Sequence, residues 1–345
     1  MDDPLKKYLY WKYKSGEEQT MKKDKAVALI KEMDDLRKPF FTKKSLRQLG
    51  EQLQKWKEGN KIEVKSLTGA IVEGQVKLGF VLFDAAITDS ELKECTNSRL
   101  FIEYAHPERL IKDITDIDQN NPGINIPAIY LTPLRVTYEP FKRVWNPKQP
   151  VVSFNHAREA WERSETYRKF KLVLSSNASG HKIERIVGFA CGSLSQPNRP
   201  GAAYQHALLV TAKEWVANQD EQSSFYLQDP DYTTADEEIL KRVGFEVVPE
   251  PNGFLKVDER SIVLSIAPTV PIKHIIAAIA RPAIVIWLPM GEGKDAAEDP
   301  NTNDVMKMAT DYEEHPFIDE NDPLGKENFR GAVIYIKKVV TVRPE

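Results

Sequence analysis

From Lys182 onward the chain alternates short apolar runs with longer stretches of helical spacing. Ile183–Ala190, Ser224–Gln228, Phe245–Val248, Ser261–Ala267 and Ala283–Leu288 are runs of strand length. Between them, Tyr204–Val216, Thr234–Val243 and Ile272–Ala280 repeat apolar residues at three- and four-residue intervals, and Gly244 is a stop signal for the second of these. Strands that alternate with helices predict a mainly parallel sheet with right-handed crossovers and flanking helices. The expected fold class is therefore α/β and Rossmann-like. Ala332–Val342 reads as a last strand, antiparallel at the sheet edge.

The first half is patterned differently. Asp24–Arg37 has helical spacing at Val27, Ile30 and Met33–Leu36, and Thr42 is placed to cap a second helix running to Trp56, before Gly59-Asn60. Ile62–Phe83 alternates in part, with Gly69 and Gly74 as turn candidates, and Leu100–Tyr104 and Leu134–Tyr138 read as short strands around a turn-rich loop. Pro140–Pro150 is a proline-bearing boundary, after which Phe154–Phe170 reads as one helix. The expected organisation is an N-terminal α+β region over residues 1–150, of unknown role, and a Rossmann-type domain over 151–345.

Composition narrows the function classes. A net charge of −3 gives no global attraction to nucleic acid or to acidic membranes. The local excess in residues 1–60, 15 Lys/Arg against 10 Asp/Glu, reads as solvated helix faces. Residues 290–322 hold 11 acidic and 2 basic side chains, so 290–325 is expected to be an exposed acidic loop. The N-terminus has no apolar run after its charges, and the most apolar stretch, Ser261–Pro289, is broken by Lys273, His274, Arg281 and three prolines. With only Cys95 and Cys191 as cysteines, the reading is a cytoplasmic or nuclear protein with no membrane span and no nucleic-acid partner. No His or Cys pair has metal-ligand spacing.

Candidate chemistry lies where strands end. Gly188, Gly192, Ser193 and Ser195 fall on the first strand and the turn after it, with Gln205 near the start of the next helix. Glycines there let backbone N–H groups approach a ligand, and a helix N-terminus favours an anionic or polar group. The spacing does not match the dinucleotide-binding fingerprint. Asp229, 37 positions beyond Gly192, ends the second strand. It could take ribose hydroxyls, or cap its own Asp-Pro turn. Ser265, Pro268 and Thr269 fall at the end of the fourth strand. Cys191 with His206 could form a nucleophile pair, although small buried cysteines are common. Two functions remain open: a regulatory protein with a small nucleotide-like ligand and a protein partner, or an enzyme using a nucleotide-like cofactor. The cofactor candidates are S-adenosylmethionine and NAD.

These segments together resemble the SRR-like (Sensitivity to Red Light Reduced) domain family. The resemblance rests on Gly188, Gly192-Ser193 with Ser195, Tyr204-Gln205 followed by Ala207-Leu208, and Asp229-Pro230. It continues through Glu238-Ile239-Leu240 and Gly244 to Val248. The N-terminal half looks like that of a fungal-type branch. The resemblance implies a role linked to circadian and light responses or to regulation of haem biosynthesis, with no established reaction. Pro268-Thr269-Val270 stands where the family tends to have a Pro-His-Cys-like turn, so a histidine- or cysteine-based activity of that turn is not expected here.

Overall fold

A computed structural model describes residues 20–56, 61–75, 99–117, 123–139, 149–196, 200–291 and 297–339. The chain forms two compact units, Met1–Arg143 and Val144–Glu345.

The first unit is built from small pieces. Strand β1 (Thr20–Lys22) leads into helix α1 (Lys23–Asp35). Helix α2 (Lys43–Gln54) starts at Thr42, whose hydroxyl accepts from Ser45 N while the Ser45 hydroxyl accepts from Thr42 N. That reciprocal pair satisfies two helix-end donors, as the sequence signal implied. β2 (Lys61–Lys65) and β3 (Ile71–Gln75) form a hairpin turning at Gly69, whose φ of +87° favours glycine. Gly74 is not a turn but pairs with Ile62 inside the ladder. β4 (Arg99–Tyr104) pairs antiparallel with β6 (Leu134–Glu139), and helix α3 (Pro107–Thr115) and the short strand β5 (Asn125–Pro127) lie between them in sequence. Phe41, Leu46, Ile102, Leu110 and Ile114 are buried in this unit. The expected strand character of residues 76–83 and Cys95 lie outside the described residues.

The second unit opens with two helices where the pattern suggested one. α4 (Gln149–Arg163) stops at Ser164, whose side chain caps α5 (Glu165–Asn177) by accepting from Tyr167 N. A sheet of seven strands follows: β7 (Arg185–Phe189), β8 (Ser224–Gln228), β9 (Glu246–Val247), β10 (Ser261–Ser265), β11 (Ile284–Trp287), β12 (Tyr312–Pro316) and β13 (Val333–Lys337). Their spatial order is β12-β13-β11-β10-β7-β8-β9. The ladders from β9 through β11 are parallel, so the expected mainly parallel sheet is present, with Ile186 beside Ile262 in register. The chain leaves central β7 toward β8 and β9, then returns to the other side of β7 with β10.

The connecting helices are α6 (Pro200–Ala217), α7 (Thr234–Arg242), α8 (Asn252–Lys256) and α9 (Ile272–Ile279). Alternate side chains of each strand point to opposite faces. Ile186, Ile262, Leu264, Ile284 and Ile286 pack with Trp161, Phe170, Leu208 and Leu209 in one core. Val187, Phe189, Val263, Val285 and Trp287 are buried outside that core, as are Ile272, Ile275 and Ile276 of α9.

Two expectations are corrected. The last strand, β13, is antiparallel but not at the edge; it sits between β11 and β12. Residues 290–322 are not simply an acidic loop. They hold helix α10 (Asn303–Ala309) and strand β12, and α11 (Pro323–Phe329) follows at once. The charges of β12 lie on an edge, with Glu313 and Glu314 exposed, while Tyr312, Phe317, Val305 and Met308 are buried. A few large apolar anchors offset the ordering entropy that the acidic composition suggested would win.

Candidate functional site

The site candidates lie at the carboxyl ends of β7, β8 and β10. In an open α/β sheet a ligand crevice forms where strand order reverses, between the two strands whose chains leave in opposite directions. Here those strands are β7 and β10. The residues just past them, Ala190 and Ala267, have φ of +52° and +50°. Left-handed backbone at non-glycine residues costs on the order of 1–3 kcal/mol and concentrates at functional sites.

The loop after β7 is fastened to the loop after β8. Gly192 N–H donates to Asp229 Oδ2 at 2.6 Å, and Asp231 N–H donates to Asp229 Oδ1 at 2.8 Å. Asp229 therefore does cap its own turn, and it also holds the backbone N–H that the sequence had offered to a ligand.

Ser193 and Ser195 are buried rather than presented to a cleft, and both converge on Asp236, which is 0% exposed. The Ser193 hydroxyl donates to Asp236 Oδ2 at 2.7 Å, and Ser195 Oγ lies 3.0 Å from Asp236 Oδ1 and 3.0 Å from Thr233 Oγ1. Thr233 N–H donates to Asp236 Oδ2 at 2.8 Å, closing a capping box at the start of α7. Asp236 is thus a hub that ties the loop after β7 to the start of α7. The sequence reading missed it, although Thr233 followed three positions later by an acid is the signature of a helix start.

Gly188 serves packing. A Cβ there would stand 2.6 Å from Leu227 Cδ2 and 3.0 Å from Leu209 Cδ1, which leaves no room for a side chain. Helix α6 begins at Pro200, so Gln205 lies in its second turn and not at its N-terminus. Gln205 is nonetheless informative: its Oε1 is buried and has no hydrogen-bond partner among the described residues. Buried polar atoms are satisfied in the great majority of cases, by protein groups or by ordered water. Ser265 is the last residue of β10, with its Oγ likewise buried and unpartnered among the described residues. Pro268 is buried and Thr269 exposed in the turn that follows.

Cys191 and His206 do not form a nucleophile pair. The His206 ring lies 2.7 Å from Ala202 O through Nδ1 and 2.8 Å from the Tyr232 hydroxyl through Nε2. A carbonyl only accepts, so Nδ1 carries the proton and Nε2 accepts from Tyr232. Burial lowers the imidazole to about 4, keeping it neutral, and burial pushes the Cys191 thiol well up. A protonated thiol without a basic imidazole at hand is not an activated nucleophile.

A second polar cluster lies past β10 and β11. Lys273, in the first turn of α9, is 0% exposed. Its backbone N–H donates to Asp299 Oδ1 at 2.9 Å, and its amino group donates to Asn301 Oδ1 at 2.6 Å. Burial pushes the Asp299 carboxyl up to about 7, against the pull of Lys273. Among the described residues no group of three or more His, Cys, Asp or Glu is placed to hold a metal ion, and no helix is long and apolar enough to cross a membrane.

Comparison with known proteins supplies one match. The family model described as the SRR1 domain matches residues 159–336, which span the whole seven-stranded sheet. No curated protein matches the chain.

Proposed function

The chain belongs to the SRR1 domain family, and from that premise we propose that it is a regulatory protein whose Rossmann-like sheet keeps a small nucleotide-like ligand. The family is associated with light and circadian regulation, and the proposal extends that role to haem biosynthesis. The ligand lies over the carboxyl ends of β7 and β10. One observation carries the reading: the two strands that flank the topological switch point are each followed, within two residues, by a left-handed alanine, Ala190 and Ala267. The unpartnered Oε1 of Gln205 supports it.

Between the two cofactor candidates, the sheet favours S-adenosylmethionine. Dinucleotide-binding sheets run 3-2-1-4-5-6, with the sixth strand beside the fifth. Here the fifth strand, β11, is followed by the reversed β13, and β12 lies outside it. The order therefore departs from the dinucleotide-binding one. An enzyme using such a cofactor is the second reading, although a shared fold does not by itself assign a reaction.

Thermal-shift measurements test the proposal with S-adenosylmethionine, S-adenosylhomocysteine, NAD(H), NADP(H) and haem. A ligand at about 100 times its Kd stabilises the native state by about 2.7 kcal/mol, a readily measured rise in Tm. S-adenosylmethionine and S-adenosylhomocysteine are expected to raise Tm and the dinucleotides are not; no response to any nucleotide overturns the cleft. Asp229→Ala refines the test. Freeing the Gly192 and Asp231 N–H groups is expected to cost on the order of 1–3 kcal/mol in stability. A ribose contact adds a loss of roughly 10- to 150-fold in affinity by titration calorimetry. Lower stability with unchanged affinity would leave Asp229 as a turn cap alone.

A further inference from the structure

Ser265 and Trp287 end the adjacent parallel strands β10 and β11 and are partners in register. Partners in register share a face of the sheet, and both residues are 0% exposed. Among the described residues, neither Ser265 Oγ nor Trp287 Nε1 has a hydrogen-bond partner. An indole N–H can only donate, and a serine hydroxyl carries one hydrogen to donate. The two residues that carry these donors are therefore neighbours, both buried, at the end of the sheet where ligands of this architecture bind.

The surroundings bias what they would receive. Ile272, Ile275 and Ile276 of α9 are buried outside the core on the opposite face, which puts α9 on the Ser265–Trp287 side. In its first turn Lys273 is buried, and its amino group reaches Asn301, whose Nδ2 in turn donates to Gly291 O in the loop after β11. The Lys273 backbone N–H also meets Asp299 Oδ1, so a buried polar cluster borders this end of the sheet. A water accepting from both donors would still have two hydrogens of its own to place, whereas a carboxylate has none.

We propose that Ser265 Oγ–H and Trp287 Nε1–H form a two-donor seat for a carboxylate carried by the small molecule that occupies the cleft. The inference rests on the cleft reading and names one chemical group of its ligand. It also explains why a serine hydroxyl and an indole N–H are kept buried here, where an unmet donor is costly.

The test uses the full chain with nitrogen-15 in its tryptophans. Six tryptophans give six indole resonances. Trp287→Phe assigns one of them, and Ser265→Ala, which adds no bulk, identifies the same resonance independently if the first variant folds poorly. Sodium acetate is the probe and acetamide its neutral counterpart. The Trp287 indole proton is expected to move downfield and saturate with acetate, and to stay in place with acetamide. Ser265→Ala should weaken the acetate response about tenfold or more, the loss of one hydrogen bond to a charged acceptor. A Trp287 proton unmoved by acetate, or moved equally by acetamide, overturns the carboxylate seat. Failure of the seat and failure of the cleft are separable. A nucleoside that raises Tm without acetate moving Trp287 removes the seat alone. Acetate moving Trp287 while no nucleotide raises Tm removes the cleft alone.

Discussion

Asp236 offers the sharpest test of how the second unit is held together. Its buried carboxylate receives the Ser193 hydroxyl at 2.7 Å, Ser195 Oγ at 3.0 Å, Thr233 N–H at 2.8 Å and the Thr233 hydroxyl at 2.9 Å. In Asp236→Ala all of these lose their acceptor. The hydroxyls can turn toward other oxygens, Ser195 and Thr233 toward each other, so their combined loss is held to about 1–2 kcal/mol. The Thr233 N–H is fixed by the backbone and buried, and leaving it unmet costs about 1–3 kcal/mol. The expected total is roughly 2–5 kcal/mol. Asp236→Asn should behave differently. Three of the donors converge on Oδ2, where the amide oxygen can sit, while the amide NH₂ replaces Oδ1 and donates to Ser195 Oγ, a competent acceptor. Only the charge assistance is lost, about 1 kcal/mol. Urea unfolding followed by tryptophan fluorescence measures both, since Trp161, Trp215 and Trp287 all lie in this unit. With a slope of about 2 kcal/mol per molar, alanine should lower the midpoint on the order of 1–2 M and asparagine about a quarter as much. Equal losses for the two variants would show that the negative charge, and not the arrangement of acceptors, holds the hub. A loss below about 1 kcal/mol for alanine would refute the hub itself.

Two further outcomes are expected. Asp299 and His206 should oppose one another in acid: Asp299, raised to about 7, keeps its proton in the native state where the unfolded chain has lost it, so its contribution to stability falls as pH rises from about 4 to 7. His206, lowered to about 4, resists protonation that the unfolded chain accepts, so its contribution is lost as pH falls from about 6.5 to 4. Asp299→Asn removes the first effect, and urea midpoints from pH 7 to pH 4 should then decline more steeply than in the wild type; an identical pH profile would count against the raised carboxyl. Gly188→Ala should lower Tm by overpacking worth about 1–3 kcal/mol, because its Cβ would press on Leu227 and Leu209, and a neutral result would mean that the strand ends shift more freely than this packing implies.

Much of the second unit was legible because burial on both faces leaves solid apolar runs. β8 is found at the residues expected, and β7, β10 and β11 lie within theirs. The edge was not legible. β12 has one deeply buried residue, Tyr312, and carries Glu313, Glu314 and His315, so charge hid a strand whose partner is twenty residues downstream. Val305 and Met308, three apart, were the available sign of α10. In the candidate site several residues that the sequence offered to a ligand make contacts within the protein. Gly188 is needed for packing, and Ser193 and Ser195 face a carboxylate some forty positions away that no local pattern connects to them. Trp287 was hidden as the end of an apolar run; its unmet N–H appears only when its neighbours are known.

The insertion of β13 between β11 and β12 bears on the order in which the molecule can be made. Strands β7 to β11 can pair with one another as they leave the ribosome, but β11 then presents Ile284, Val285, Ile286 and Trp287 along an open flank. β12 emerges next and cannot cover that flank, because it pairs only with β13. Until Val333–Lys337 has been synthesised, the nascent chain carries a bare apolar strand of the kind that recruits other chains. Completion of this sheet therefore waits for β13, and interruption before it leaves a product prone to self-association.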